Sequence, residues 1–180
     1  DKPVVGIVAT KPEAVEGEVG NNALKFTVSQ NNQSNFDTTV DVKLNTANSD
    51  INAADIDSIV YTDVTGTEIT LTTRSKIQDF LDNGVSVKIE AGSTSAPVIT
   101  INVADDAIYE KSEDLVLDIS NPSNAAIGPN GSATGTIFDE DQADNNVDNP
   151  NNPDDPNDPV DGDKPVVGIV ATKPEAVEGE

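Results

Sequence analysis

Residues 24–29 read LKFTVS and decide the fold class of the chain. Leu24, Phe26 and Val28 alternate there with polar side chains. Alternation with a period of two predicts a strand that buries one face and exposes the other. Residues 40–44, VDVKL, repeat the same pattern a short distance on. Both segments indicate a β-sheet with one face on a core.

Short apolar and β-branched runs continue this pattern along the chain. Clusters of Gly, Asn, Asp and Pro separate the runs, as turns between strands require. Further strands are predicted at residues 3–9, 58–62, 85–90, 98–103, 115–120 and 132–138. A series of about seven short strands with turn signals is typical of an antiparallel β-sandwich.

One segment departs from the strand pattern. Residues 75–84 read SKIQDFLDNG, and the apolar side chains in it share one helical face. Ser75 and Gln78 have the spacing of a capping box, and Gly84 is a residue that commonly ends helices. The sequence therefore predicts one short inserted helix near residues 76–82.

The chain contains a long exact repeat. Residues 163–180 are identical to residues 1–18, DKPVVGIVATKPEAVEGE. The repeat therefore has a period of 162 residues. This period is too long for a solenoid, where repeats have roughly 20–50 residues. We therefore expect a β-sandwich domain at residues 1–141, a linker at residues 142–162, and the start of the next identical tandem repeat at residues 163–180.

The predicted linker is acidic and rich in proline. Its prolines stand at every third position: Pro150, Pro153, Pro156 and Pro159. This register matches polyproline II, in which 21 residues would span roughly 65 Å at about 3.1 Å per residue. A disordered, soluble segment is the alternative. The repeated copy after the linker is expected to lack stable structure of its own. The alternative is that it occupies the slot of the first strand, in its own domain or in a neighbouring molecule.

Composition narrows the function further. The chain has 33 acidic and 10 basic residues, a formal net charge of −23, and no His or Cys. An acidic surface of this kind repels nucleic acid and anionic lipid. The missing residues exclude a Ser-His or Cys-His nucleophile and the usual zinc and copper ligands, leaving oxygen donors that suit calcium.

No apolar run is long enough to insert into a membrane. A glycosidase with paired carboxylates stays chemically possible, but few aromatic residues are present to line its cleft. We therefore expect that this protein is not an enzyme.

Acidic residues gather where the predicted strands end. Glu16 follows the first strand region and Asp55 lies in a loop. Asp105 and Asp106 follow another strand, with Glu110 and Glu113 close behind, and an acidic triplet at residues 139–141 follows the last one. Strand ends of a sandwich meet at its two poles, where converging carboxylates repel one another unless a divalent cation binds. A solvated acidic surface is the alternative interpretation.

Four stretches carry a resemblance to a known family. They are AVEGE at residues 14–18, NAADIDSI at 52–59, INVADDAIYEKSEDLVLDIS at 101–120 and GTIFDED at 135–141. Together they resemble the Calx-β domain, a calcium-binding sandwich of sodium–calcium exchangers, integrin β4 and large bacterial surface proteins. The resemblance implies an immunoglobulin-like sandwich with Ca²⁺ at one pole. The metal-ligand positions that it implies are Glu16, Asp55, Asp105, Asp106, Glu110, Asp139, Glu140 and Asp141.

Identical, acidic, Cys-free tandem units also resemble the extender region of giant bacterial adhesins with RTX-type secretion. The resemblance implies a non-enzymatic, extracellular stalk repeat at the cell surface that projects a distal ligand-binding region for cell adhesion and biofilm formation. Its partners would be calcium ions and neighbouring copies of the repeat, and a fragment would be monomeric. A ligand-binding adhesion module and a calcium-sensing regulatory domain are the alternatives.

Overall fold

The computed structural model describes residues 1–106, 108, 110–139 and 167–172. Eleven strands and one helix form within them: β1 (Val4–Lys11), β2 (Glu13–Val15), β3 (Ala23–Gln30), β4 (Thr38–Leu44), β5 (Ile56–Thr62), β6 (Glu68–Leu71), α1 (Arg74–Asn83), β7 (Val85–Ile89), β8 (Ile99–Val103), β9 (Glu113–Ser120), β10 (Ala126–Ile127) and β11 (Ser132–Phe138).

The strands form two sheets that face each other. The first has the order β10-β1-β3-β8-β5-β6, and the second has the order β2-β11-β9-β4-β7. In immunoglobulin notation, β1, β3, β8 and β5 take the places of strands A, B, E and D, and β4, β9 and β11 those of C, F and G. The predicted all-β, immunoglobulin-like sandwich is confirmed.

The core lies between the inner faces of the two sheets. Leu24 and Phe26 of β3 are fully buried, as the alternation in that strand predicts. Leu115 and Leu117 of β9 are fully buried on the facing sheet. Both strands therefore contribute every second side chain to the same apolar layer, which supplies most of the favourable free energy of folding.

More strands form than the approximately seven predicted, because three short ones carry little pattern of their own. β2 has three residues and pairs in parallel with β11. β6 forms a hairpin with β5, and β10 pairs in parallel with β1 over two residues. Such segments become strands through the neighbour they pair with, so their own residues do not reveal them.

The predicted helix is present between β6 and β7, but its start differs from the prediction. The helix spans Arg74–Asn83, and Ile77, Phe80 and Leu81 are buried as expected. The N-cap is Thr73, which makes no side-chain capping bond, so the predicted capping box at Ser75 does not form. The helix ends at Gly84, as predicted: the N–H of Gly84 donates to the Phe80 carbonyl, with a φ of 72° that favours glycine.

The strand registers define two poles of the sandwich. Val103, at the end of β8, pairs with Ile56, at the start of β5. In the second sheet, Phe138 at the end of β11 pairs with Val15 of β2, and Glu113 at the start of β9 pairs with Ile137. We call this end, which the acidic loops occupy, the acidic pole. The first strand begins at the opposite pole, where Val5 pairs with Gln30.

Most of the predicted domain plan beyond the sandwich lies outside the described residues. This applies to the linker at residues 142–162 and to all but six residues of the copy at 163–180. Residues 167–172 belong to no helix or strand, and Val167 and Ile169 are almost fully exposed. No helix among the described residues has the length and apolar character needed to cross a bilayer.

Candidate metal centre

Asp55 is held rigidly at the acidic pole by its own loop. The backbone N–H of Asn52 donates to Asp55 Oδ2 at 2.5 Å, and the Asn52 side-chain amide donates to Oδ1 at 3.1 Å. The Asp55 carbonyl accepts from the N–H of Ala104 at 2.9 Å, which ties this loop to the end of β8. With only 7% of its surface exposed, the Asp55 carboxylate has a fixed position.

Three carboxylates meet around Asp55. One oxygen from each of Asp55, Glu110 and Glu113 lies within 4.8 Å of the other two. Asp55 is buried and the two glutamates are half-buried. Charges of the same sign at this separation repel strongly where water is partly excluded. A hard cation with oxygen ligands would remove that repulsion.

The ionisation of Glu113 reflects this crowding. Burial, followed by the charge and a side-chain hydrogen bond of Asp55, raises the pKa of Glu113 to about 8. The charges of Glu110 and Asp50 raise it further. Near neutral pH, Glu113 therefore tends to keep a proton that it shares by hydrogen bonding with Asp55.

Glu110 responds in the same direction. Its pKa is raised, first by burial and then by the negative charges of Asp55, Asp106 and Asp139. Glu110 thus lies within electrostatic range of three other acidic side chains, which makes a group of four. Two of the four, Asp55 and Asp139, are almost fully buried.

Asp139 has the least solvated carboxylate of the group. It is only 3% exposed, and its Oδ2 accepts from the backbone N–H of Glu110 at 2.6 Å. Its Oδ1 is buried and has no hydrogen-bond partner among the residues that the structure describes. An unsatisfied buried oxygen costs about 1–3 kcal/mol, and more when it is charged. This oxygen is therefore well suited to a cation.

Glu16 reaches the same pole from the first strand region. Its backbone N–H donates to the carbonyl of Phe138 at 2.9 Å, immediately before Asp139, and its side chain is buried. The turn continues through Gly17, whose φ of 63° lies in the left-handed region. A side chain at Gly17 would place its Cβ 3.1 Å from Asp105 Oδ1, so glycine lets Asp105 approach this turn.

The remaining predicted ligands differ in their placement. Asp105 and Asp106 are exposed, and Asp106 Oδ1 accepts from the N–H of Ile108 at 2.8 Å. Glu140 and Asp141 lie outside the described residues. The assignment of these predicted residues as metal ligands stays a prediction.

Glu113 belongs to the cluster but was not among the predicted ligands. It is the first residue of β9, and its partner in the ladder is Ile137. The sequence does contain a signal for it, namely its position three residues after Glu110. Which way a glutamate at a strand start points depends on the register of that strand, which the sequence leaves open.

Comparison with known proteins gives similar structures of low identity. No protein-family model matches the sequence, and no curated protein matches it. The fold is similar to a crystal structure of CBD12 from CALX1.2, with 16% identity and a TM-score of 0.45 over 74% of this chain and 44% of that one. It is also similar to the apo form of the Calx CBD1 domain, with 13% identity and a TM-score of 0.43 over 76% of this chain and 97% of that one.

A third similar structure comes from a bacterial surface protein. The collagen-binding subdomain ACE19 of the Enterococcus faecalis surface protein ACE has 9% identity and a TM-score of 0.32, over 77% of this chain and 98% of that one. Of the CBD12 structure from CALX1.2, in contrast, this chain spans less than half the length. At these TM-scores the similarities add nothing to the topology described above.

Proposed function

We propose that this chain is a non-enzymatic, calcium-binding structural repeat of an extracellular bacterial adhesin. The observation that supports this most directly is the convergence of Asp55, Glu110 and Glu113 within 4.8 Å at one pole. These acidic residues come from two segments that are distant in sequence, and their negative charges repel one another when all three are ionised. A bound divalent cation would offset that repulsion.

The chemistry of the donors favours calcium. All candidate ligands are carboxylates, so the ion should be hard and divalent. Calcium accepts roughly six to eight oxygens in flexible geometry, whereas magnesium demands a near-ideal octahedron. Carboxylates supplied by several loops fit the first description better. Asp55, Glu110, Glu113 and Asp139 would hold the ion, with Glu16, Asp105 and Asp106 at the same pole.

The structural role follows from where the site lies. Glu16, in the turn after β2, and Asp139, directly after β11, are joined through the backbone bond from Glu16 to Phe138. An ion at this pole would fix the end of the sandwich from which the chain leaves β11. The linker at residues 142–162 would then separate one repeat from the next. A row of such units would hold a distal ligand-binding region away from the cell surface.

Thermal unfolding with calcium and with a chelator tests the proposal. An ion that binds only the folded state stabilises it by about 2.7 kcal/mol at 100-fold excess over Kd. For a domain of this size we expect Tm to rise by roughly 10 °C. Equal melting temperatures under the two conditions would contradict calcium binding.

Matched substitutions assign the effect to the site. Asp139→Asn keeps the shape of the side chain but removes its charge, so the calcium-dependent rise in Tm should shrink. Asp106→Ala should also reduce it. Glu68→Gln removes one charge from an exposed side chain of β6, which pairs with Thr62 at the opposite end of β5. That variant, and Asp158→Ala in the linker, should show the full rise.

A further inference from the structure

The sequence contains two Asn-Gly pairs, and the fold holds them in different ways. They are Asn83-Gly84 at the end of α1 and Asn130-Gly131 in the loop between β10 and β11. Asparagine is a chemically labile residue. A glycine after it lets the backbone nitrogen approach the side-chain amide, because glycine has no Cβ in the way. Each pair can therefore react with itself unless the fold prevents it.

The pair at the end of α1 is held by two hydrogen bonds. The side-chain amide of Asn83 donates to Asp79 Oδ1 at 2.6 Å. The N–H of Gly84 donates to the carbonyl of Phe80 at 2.8 Å. Both the nitrogen that would attack and the amide that would be attacked are thus engaged. Reaction here requires the last turn of the helix to open.

The pair between β10 and β11 leaves the same two groups accessible. The Asn130 side chain is exposed. Neither its amide nor the N–H of Gly131 makes a hydrogen bond to any residue that the structure describes. The two carbonyls are engaged instead: that of Asn130 accepts from the N–H of Ile7 at 2.9 Å, and that of Gly131 from the N–H of Ile119 at 2.9 Å. These bonds hold the loop in place without protecting the reacting groups.

We propose that Asn130 is a site of spontaneous deamidation, with water as the co-reactant. The nitrogen of Gly131 attacks Cγ of Asn130 and loses its proton, the bond from Cγ to the side-chain nitrogen breaks, and ammonia leaves. Water then opens the resulting succinimide ring at one of its two carbonyls. Opening at Cγ gives aspartate, and opening at the former backbone carbonyl gives isoaspartate, in which the chain continues through Cγ. Nothing is oxidised or reduced, and an amide is replaced by a carboxylic acid.

Isoaspartate changes how β1 is attached to the rest of the first sheet. The carbonyl that accepts from the N–H of Ile7 becomes a free carboxylate, and the chain at residue 130 is lengthened by a methylene group. The bond to Ile7 therefore loses its fixed backbone acceptor. Aspartate adds the same charge but leaves that carbonyl in the backbone. The modification loosens β1 through isoaspartate alone.

Peptide mass spectrometry of the full chain, incubated at neutral pH both folded and in denaturant, tests the site. In denaturant, both pairs should gain the mass of an NH₂-to-OH exchange at similar rates. In the folded protein, Asn130 should react nearly as fast as in denaturant, and Asn83 roughly 30-fold more slowly, which is the cost of opening two hydrogen bonds. Asn130→Gln, the matched control, should abolish the change at residue 130. The site is overturned if the folded protein protects Asn130 as strongly as Asn83, or if it protects neither.

Amide exchange tests the effect on β1. Once residue 130 is mostly isoaspartate, the N–H of Ile7 should exchange faster than in freshly prepared protein. Asn130→Asp carries the added charge on an unaltered backbone, so its Ile7 N–H should exchange at the rate of the fresh protein. Unchanged protection of Ile7 in the isoaspartate form would overturn the loosening of β1, and so would an equal loss of protection in Asn130→Asp.

Discussion

Glu113 is the residue whose ionisation should be easiest to detect. Its pKa is raised to about 8 in the folded protein, from an ordinary value of 4.5. Between these values the folded state retains a proton that the unfolded state releases. The contribution of Glu113 to the stability of the calcium-free protein should therefore be fully present below pH 4.5 and should be lost as pH rises through about 8.

Thermal unfolding of the calcium-free protein from pH 5 to pH 8 measures this dependence. Glu113→Gln should flatten it, since glutamine has no proton to lose. Glu68→Gln, with the same loss of charge at the opposite pole, should leave the slope unchanged. A slope that stays the same in Glu113→Gln would show that the pH dependence arises elsewhere. Calcium should counteract the fall, because the ion favours the deprotonated cluster.

For single residues, the sequence indicates where the acidic side chains lie in the fold but not which way they point. Acidic residues next to strand ends indicated that carboxylates could converge at a pole, and the resemblance to the Calx-β domain implied that Asp55, Glu110 and Asp139 are among the ligands. Whether each side chain points inward depends on register and loop hydrogen bonds. Asp55 is fixed by Asn52, and Asp105 is exposed. These details arise only when the chain is folded.

The helix α1 is the element whose contribution to stability is most clearly separable. It packs against β4 and β5 and buries Ile77, Phe80 and Leu81 against the core. The ring of Phe80 lies 6.4 Å from the ring of Tyr61 on β5, centroid to centroid. We expect Phe80→Ala to lower the free energy of unfolding by about 3–5 kcal/mol, because it removes a fully buried aromatic side chain and leaves a cavity.

Denaturant unfolding of Phe80→Ala and of Lys76→Ala provides the comparison. Lys76 is exposed on the same helix, and its substitution should change the free energy of unfolding by no more than about 0.5 kcal/mol. If both variants lose the same small amount of unfolding free energy, the helix does not contribute to the stability of the sandwich. If only Phe80→Ala is destabilised, the helix is part of the core.

Element by element, predictability follows length and burial. Long half-buried strands such as β3 and β9 can be predicted from their alternating apolar residues, and α1 can be predicted from the helical spacing of its apolar residues. β2 is different, because Pro12 lacks an N–H and interrupts the first strand region. The carbonyl of Pro12 accepts a hydrogen bond from the N–H of Thr136 at 2.7 Å, and the chain then crosses to the other sheet. That crossing depends on β11, more than 100 residues later, which no local pattern can reveal.

For the whole molecule, the opposite placement of the first and last strand ends of the sandwich determines how repeats can follow one another. β1 begins at one pole and β11 ends at the other. Successive domains should therefore lie end to end and not side by side. X-ray scattering from a two-repeat protein should show an elongated particle, with the domains separated by a spacer of roughly 65 Å.

Calcium should change that separation little, because the spacer prolines fix their φ angles without any ion. Scattering curves with calcium and with a chelator should give nearly the same maximum dimension. A compact particle whose two domains touch would contradict the spacer interpretation.

The parallel pairing of β2 with β11 has a consequence for a molecule under tension. Its three residue pairs join Glu13 to Thr136, Ala14 to Ile137 and Val15 to Phe138. A force that separates the two poles would pull β2 toward one end and β11 toward the other, along the strand direction. The hydrogen bonds between them would then be loaded in shear and would have to break together, whereas an antiparallel hairpin pulled at its open end would unzip bond by bond.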